Sequence, residues 1–502
     1  FYTVDDIRKS IDESPPYGDY QAVRPEDAMV EPMRVFMSGG TTGKSRPTLY
    51  TQWDREVGGI LTARALYTQG IRPGDIVLNS WAYSTHNGAF NFDEAQIAFR
   101  KAAEVDPDCA MAWWGLSEAA GPQYNHPVMD EQRIATAREA MAKALAQLHK
   151  ASPMEQGLIK ALKHRNALEK WDGDKQTEQN KKYAAALGEV WKGFPKHPNY
   201  ADVGALYAKA RMVIRQWALY DTKTRKPLGD TLEIRSLIEQ ILAGAEHHPG
   251  ALHLYIHVVE PSTNPRAALS VAKRLDNLVP ASGHLRHMPT HIYIQAGLWD
   301  RAVVQNAEAM GANAAYRARA PGRIGQYGYQ IHDTHMLVFA ATMSARRNEA
   351  LANARAMWTL WESIPDDTPK EQLEGVASYI DTVMCAVYDV HKRFGDWQAI
   401  LDEPEPARAE LLPSTCALRH AARAVAYANL KEMEKAREEL NIFKGEMDAL
   451  PKGQMYGADR ARDVLEVSLH FIEGEIALNE ERWGEAAEHL KKAIVIEDKL
   501  RY

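Results

Sequence analysis

The chain has 502 residues, 45% of them hydrophobic and 25% charged, with a formal net charge of -7 at pH 7. That length exceeds one ordinary core and predicts several domains or a repeat array. The small charge and the lack of any Lys/Arg block exclude an electrostatic footprint for nucleic acid or for an anionic membrane surface.

Three cysteines, Cys109, Cys385 and Cys416, occur without CxxC spacing, which argues against a disulfide framework and a thiolate zinc site. No run of eighteen apolar residues is present, so no membrane-spanning helix is expected. The opening FYTVDDIRKSIDESPP is acidic and polar where a secretory signal would be basic and then apolar, which predicts a cytoplasmic protein. Phe1 is not an initiator methionine, so the expectation is that sequence upstream is missing or has been removed.

Residues 1–90 carry clustered turn signals (SPPYGDY, MSGGTTGKSRPT, GIRPGD) and a short apolar run, IVLNSWAY, which predicts a short α/β-type segment. The run Ser38-Gly39-Gly40-Thr41-Thr42-Gly43-Lys44 has serine where a Walker A loop needs its first glycine, so it is not a P-loop of that class. With its flanks, TLYTQWDREVGGILTARALYTQGIRPGDIVLNSWAYSTHNGAF, it resembles the Ser/Thr/Gly-rich phosphate loop of adenylate-forming enzymes, the phenylacetate–coenzyme A ligase family in particular. That resemblance implies nucleotide-phosphate contacts from Ser38 through Lys44 and acyl or aryl acid activation. It covers only the first 90 residues, and the adenine loop, ribose-binding Asp segment and catalytic Lys domain of such ligases have no counterpart further on.

From Asn91 to the end, Ala-rich segments of helical periodicity follow one another with short breaks, predicting a mostly α domain over 91–502. In FDEAQIAFRKAAEVDP, residues Ala95, Phe99, Ala102 and Pro107 fall at the spacing of a second repeat helix, and Trp113 and Leu116 open the next repeat. FIEGEIALNEERWGEAAEHLKKA repeats the pattern with Gly474, Trp483, Ala486, Leu490 and Ala493, while WDRAVVQNAEA and NEALANARAM recur between them as second helices. These residues resemble tetratricopeptide repeats, which implies an α-solenoid of helix pairs with a concave groove. HLYIHVVE and GHLRHMPTHIY also resemble a group of uncharacterised bacterial tetratricopeptide proteins.

Nine of the 18 histidines lie between His247 and His335, in a His-rich stretch over 247–340. His253 and His257 form one HxxxH pair and His287 and His291 another, 34 residues on, which is one tetratricopeptide period. With Ala268, Ala302 and Ala350 as anchors, His253, His287 and His335 share one repeat position, His284 and His332 the position three earlier, and His257 and His291 the position four later, where the third repeat has Phe339. Glu260 follows His257 by three. Intervals of 3, 4 and 7 place these side chains on one stripe of each first helix, which predicts convergence on the groove. Pro289 predicts a helix start or kink near the second pair.

Imidazoles at i and i+4 with a carboxylate bind a divalent transition metal, and a set without sulfur suits zinc, copper or iron. The expected ligands are His253, His257, Glu260, His284, His287, His291, His332 and His335. An open coordination position would support a metal-dependent hydrolase or oxidoreductase acting on a small-molecule substrate. Two alternatives stand beside this: a protein–protein interaction scaffold that holds a peptide in the groove without catalysis, and acyl/aryl-coenzyme A ligase-type acid activation by the N-terminal segment. A homo-oligomer is compatible with each.

Other residues carry weaker expectations. His247 and His248 before Pro249 read as an exposed turn, and His126 as a distant residue able to reach the groove. Tyr255, Tyr293, Trp299 and Trp217 are expected between helices. The insertion RARAPGRIGQYGYQ, with Tyr316, Tyr327 and Tyr329, reads as a surface loop or a lid over the groove.

Overall fold

The computed structural model describes Lys9, Ser10, Glu13, two strands on either side of residue 40, and the chain from Asn91 to Leu500 apart from 125–127, 320–323 and 458. The chain divides into two compact units, Phe1–Val77 and Leu78–Tyr502. In the first, β1 (Arg34–Met37) and β2 (Pro47–Tyr50) pair antiparallel, with Arg34 opposite Tyr50 and Met37 opposite Pro47. The Ser38–Lys44 run connects them and lies outside the described residues.

The second unit is an array of helix pairs. It runs through α1 (Asn91–Val105), α2 (Ala110–Ala120), α3 (Glu131–Ala146), α4 (Pro153–Arg165), α5 (Gly173–Gly193), α6 (Tyr200–Ile214) and α7 (Thr231–Gly244). The middle comprises α8 (Pro249–Val259), α9 (Leu269–Leu275), α10 (Gly283–His287), α11 (Pro289–Gln295), α12 (Trp299–Arg319), α13 (Gly325–Met343) and α14 (Arg347–Glu362). It ends with α15 (Lys370–Ile380), α16 (Ala386–Phe394), α17 (Trp397–Asp402), α18 (Pro413–Asn429), α19 (Met433–Ala449), α20 (Ala461–Asn479) and α21 (Trp483–Glu497). Among the described residues of this unit, sheet is confined to the two-residue pair β3 (Met455–Tyr456) and β4 (Asp459–Arg460) and to isolated bridge residues, Tyr220 with Pro227 and Gln123. This is a mostly helical, tetratricopeptide-like solenoid. Among the described residues no helix is long and apolar enough to cross a membrane.

Local chemistry sets the helix ends. Asp130 caps α3 by accepting from the Arg133 N–H at 2.7 Å, and Ser152 with Glu155 forms a reciprocal capping box at the start of α4. Gly395 ends α16 at φ +71°, a left-handed conformation that glycine adopts without a Cβ penalty.

The repeat anchors are buried: Ala95, Phe99 and Ala102 on α1, Ala302 on α12, Ala350 on α14, and Ala486 and Ala493 on α21. Close approach explains the small residues. A Cβ on Gly115 would lie 2.2 Å from the ring of Phe99, so only glycine lets α1 and α2 pack at this distance.

A buried ionic knot ties the first hairpins together. Glu118 on α2 receives Lys209 Nζ from α6 at 2.9 Å, Arg165 from α4 at 2.5 Å and the Tyr183 hydroxyl from α5 at 3.1 Å. Lys209 also donates to Gln123 Oε1 at 3.0 Å, and Arg165 to the Glu118 carbonyl at 2.8 Å. Burial raises the Glu118 pKa, but the two cations and their hydrogen bonds outweigh it, and the carboxyl is held below its ordinary range.

Candidate metal centre

Three successive helix pairs supply the histidines. Pro249 opens α8, and His248 caps it: Nδ1 accepts from the Ala251 N–H at 3.0 Å while Nε2 meets Asp202 Oδ1 at 2.9 Å. Of the pair expected in an exposed turn, only His247 is exposed; His248 is drawn in because α8 needs a cap. Every residue from Gly250 to Val259 is buried, so His253 and His257 sit inside the array rather than on an open groove surface. In the next pair, Ser282 caps α10, and the helix breaks at Met288 before Pro289 starts α11. The break falls between His287 and His291, yet their Nε2 atoms lie 2.9 Å apart.

Six rings form one continuous network. Centroids are 4.7 Å apart for His253–His257, 5.0 Å for His253–His284, 6.3 Å for His284–His287 and 4.8 Å for both His287–His291 and His287–His332. His257 closes the loop to His291 at 6.4 Å. Within this network the ligand atoms of His287, His291 and His332 all lie within 4.8 Å of one another. His335 takes no part in these ring contacts; burial lowers its pKa against an upward pull from Asp389, and its charge acts on His332. The third repeat therefore joins the network through His332, on a continuous 19-residue helix, whereas the matching stretch of the second repeat is split in two by Pro289. Glu260 stands one shell out, with Oε1 on His291 Nδ1 at 2.8 Å.

The proton positions in the His287–His291 pair follow from their partners. His287 Nδ1 lies 2.8 Å from Asn306 Oδ1, an oxygen that also receives the Thr290 hydroxyl at 3.3 Å, and 3.2 Å from Asp333 Oδ1. His291 Nδ1 donates to the Glu260 carboxylate. With both Nδ1 atoms as donors, neutral rings would turn two Nε2 lone pairs towards each other at 2.9 Å, an arrangement that a proton or a metal ion on that line would relieve. Ligand nitrogens about 2.0–2.1 Å from one ion are separated by about 2.9 Å at right angles and about 3.3 Å in a tetrahedron, so the His287–His291 spacing matches the right-angle arrangement and would open slightly around a tetrahedral ion. The contacts of His253 Nε2 with His257 Nε2 at 3.0 Å and with His284 Nε2 at 3.2 Å fall in the same range.

Burial keeps most of the cluster neutral. It lowers His257 to about 4, against a partial upward pull from Glu260, and lowers His332 to about 3, with His291 and His335 adding to the effect. His284 and His287 are held well below the ordinary value by burial and then by the charges of neighbouring histidines. His291 goes the other way: burial opposes its protonation, but the charge of Glu260 and the hydrogen bond to it outweigh burial and raise its pKa. Asp333, beside His287 Nδ1 at 3.2 Å, is raised well above the carboxylate range by burial.

The sign of the pH effect follows. The four depressed histidines bind protons more weakly folded than unfolded, so their contribution to stability is complete above about 6.5, the ordinary histidine value, and is lost as pH falls towards 4 and 3. His291 contributes in the opposite sense, and its share is lost as pH rises through its raised pKa. Stability of the metal-free chain is expected to fall steeply between pH 6.5 and 4, read as the denaturant midpoint against pH; a flat midpoint over that window would contradict the burial of these rings.

Aromatic side chains enclose the cluster. Tyr329 lies 5.4 Å from His284, Tyr124 5.4 Å and Trp217 5.8 Å from His257, and Tyr379 6.3 Å from His332. Trp217, expected between helices, is 57% exposed in the connection after α6 at φ +53°, tilted against Tyr124 and edge-on to His257. Tyr293 is buried between helices as expected, Tyr255 bonds Glu239, and Trp299 meets the exposed Phe339 of α13. The stretch Gly325–Gln330, read as a loop, forms the first turns of α13, with Tyr327 and Tyr329 buried; Tyr316 lies on α12. Its glycines suit close packing as well as a turn, which is why the sequence misleads there. His126 lies outside the described residues.

No family model matches the chain, and no curated protein matches it either. Among solved structures it is similar to the human IFIT1 dimer with m7Gppp-AAAA, at 11% identity over 84% of each chain and a TM-score of 0.35. It is also similar to the P58(IPK) tetratricopeptide-repeat domain, at 12% identity over 88% of this chain and 98% of that one with a TM-score of 0.20. The APC/C hetero-tetramer Cut9–Hcn1 gives 11% identity over 88% and 96%, with a TM-score of 0.19. Likenesses at this level say nothing of ligand or partner. The ligase resemblance of residues 1–90 rests on its motif alone.

Proposed function

We propose that the protein is a helical-repeat scaffold carrying a transition-metal ion inside its array, held by His287, His291 and His332. The observation that supports this reading is the approach of the two Nε2 atoms to 2.9 Å, with Asn306 and Glu260 at the two Nδ1 atoms. Carboxylate and amide acceptors behind ligating imidazoles fix the tautomer and strengthen the ligand, which is the role assigned to Glu260 and Asn306. His253, His257 and His284 extend the nitrogen-rich lining towards a second ion position. Zinc, copper or iron fits such a set. Three protein nitrogens leave a position for water or a small anionic ligand, and hydrolytic or redox chemistry would require a substrate to reach it past Trp217 and Tyr124.

The raised pKa of His291 favours a second reading, in which one proton bridges the pair and the chain is a scaffold without a metal. The groove of such a scaffold holds a peptide, and the histidines form a polar, acid-sensitive core. Elemental analysis of the chain purified without chelators separates the two. The metal reading predicts about one equivalent of zinc, copper or iron surviving dialysis at neutral pH, and less than about a tenth of an equivalent in a folded chain assigns the pair to a proton.

Glu260→Gln keeps an acceptor but removes the charge behind His291. Metal affinity is expected to fall about 10–100-fold, read by competition with a chromogenic chelator. An unchanged affinity would remove Glu260 from the site.

A further inference from the structure

A second set of ligands lies far along the chain, in the terminal hairpin. His470 and Glu473 are three residues apart on α20 and share a face, and His489 comes from α21. His470 Nδ1 and His489 Nδ1 are aligned on each other at 3.3 Å, and Glu473 Oε2 lies 3.5 Å from the first and 3.1 Å from the second. The other oxygen of Glu473 is taken by Lys444 Nζ from α19 at 2.8 Å, which leaves Oε2 turned to the imidazoles. Each of the three side chains is about one-fifth exposed, so the triangle is open to solvent on one side.

We propose that His470, Glu473 and His489 bind a divalent transition-metal ion of the zinc type, and that this ion clamps α21 to α20. The proposal is independent of the buried cluster. One proton on the line between two imidazoles satisfies one ring at a time, whereas an ion in the triangle takes a lone pair from each ring and the charge of the carboxylate together. A clamp also fits where it is placed. Only Ala486 and Ala493 of α21 are buried, while Trp483, Ile494 and Val495 are exposed, so the last helix is thinly held by apolar contact. Gly474 and Leu490 are already in contact at the spot where an ion would draw the two helices together. Three protein ligands and solvent access leave at least one position for water.

The test uses the full chain, stripped with chelator and titrated with zinc chloride, with amide hydrogen exchange read over residues 461–497. At zinc about a hundred times its dissociation constant, exchange in this hairpin is expected to slow about a hundredfold. The slowing persists in His287→Ala/His291→Ala and is lost in His470→Ala/His489→Ala. Wild-type slowing retained in His470→Ala/His489→Ala, or none in the wild-type chain, overturns the site. Should the double variant lose its hairpin even without zinc, Glu473→Gln decides: a zinc midpoint about tenfold higher with unchanged helical content supports the clamp, and an unchanged midpoint overturns it.

Discussion

Replacing His287 and His291 together by alanine should reduce bound metal from about one equivalent per chain to less than about a tenth, while the helical array stays folded. Two of the three nitrogens in the tightest group vanish, and a lone imidazole at His332 holds an ion too weakly to survive dialysis. Folding survives because the surrounding core is continuous from Ala110 to Ala426 and neither ring is a large apolar anchor. Glu260 loses its His291 partner while Asn306 keeps Thr290, and an unsatisfied buried group costs about 1–3 kcal/mol, so a modest fall in denaturant midpoint accompanies the loss of metal. His335→Ala is the control: it lies outside the ring network and should keep the full complement. A double variant that holds metal like the parent would mean that the ion sits elsewhere.

The largest effect on stability is expected at Glu118. Alanine there leaves Arg165 and Lys209 side by side, buried and without their shared counter-charge. Breaking a buried ion pair by removing one partner costs about 3–5 kcal/mol, and here one carboxylate serves two cations. Glu118→Gln should cost less, because an amide still accepts a hydrogen bond. Replacing all three by Leu and Met should recover most of the loss, since packed apolar side chains need no counter-charge. Chemical denaturation of the four proteins measures this. A change below about 1 kcal/mol for Glu118→Ala would show that the knot is hydrated or dispensable.

What the sequence revealed follows from which features are periodic. Ala268 and Ala302, like the two HxxxH pairs, recur at the 34-residue tetratricopeptide interval, so the helix pairs and a meeting of imidazoles were legible without coordinates. Position within a repeat was a poorer guide to the third helix, because Pro289 breaks the second repeat between His287 and His291 and α13 is unbroken; spacing alone does not say which of His332 and His335 turns inward. Asn306 was invisible because an amide on a second helix carries no motif, although it meets His287 Nδ1 at 2.8 Å. Trp217 and Tyr329 reach the cluster from a connection and from a Gly-rich helix start, where helical periodicity has no purchase. The Glu118–Arg165–Lys209 knot joins residues 47 and 91 positions apart, and no local pattern marks it. His470, Glu473 and His489 were overlooked for a related reason: a pair at i and i+3 on one helix needs its third member from the next.

X-ray absorption at the metal edge of the chain as purified tests the central claim most directly. The account predicts at least three nitrogen scatterers at about 2.0–2.1 Å with the outer-shell pattern of imidazole rings, and loss of most of that signal in His287→Ala/His291→Ala. A first shell of oxygen alone, or an imidazole pattern unchanged in the double variant, would contradict it.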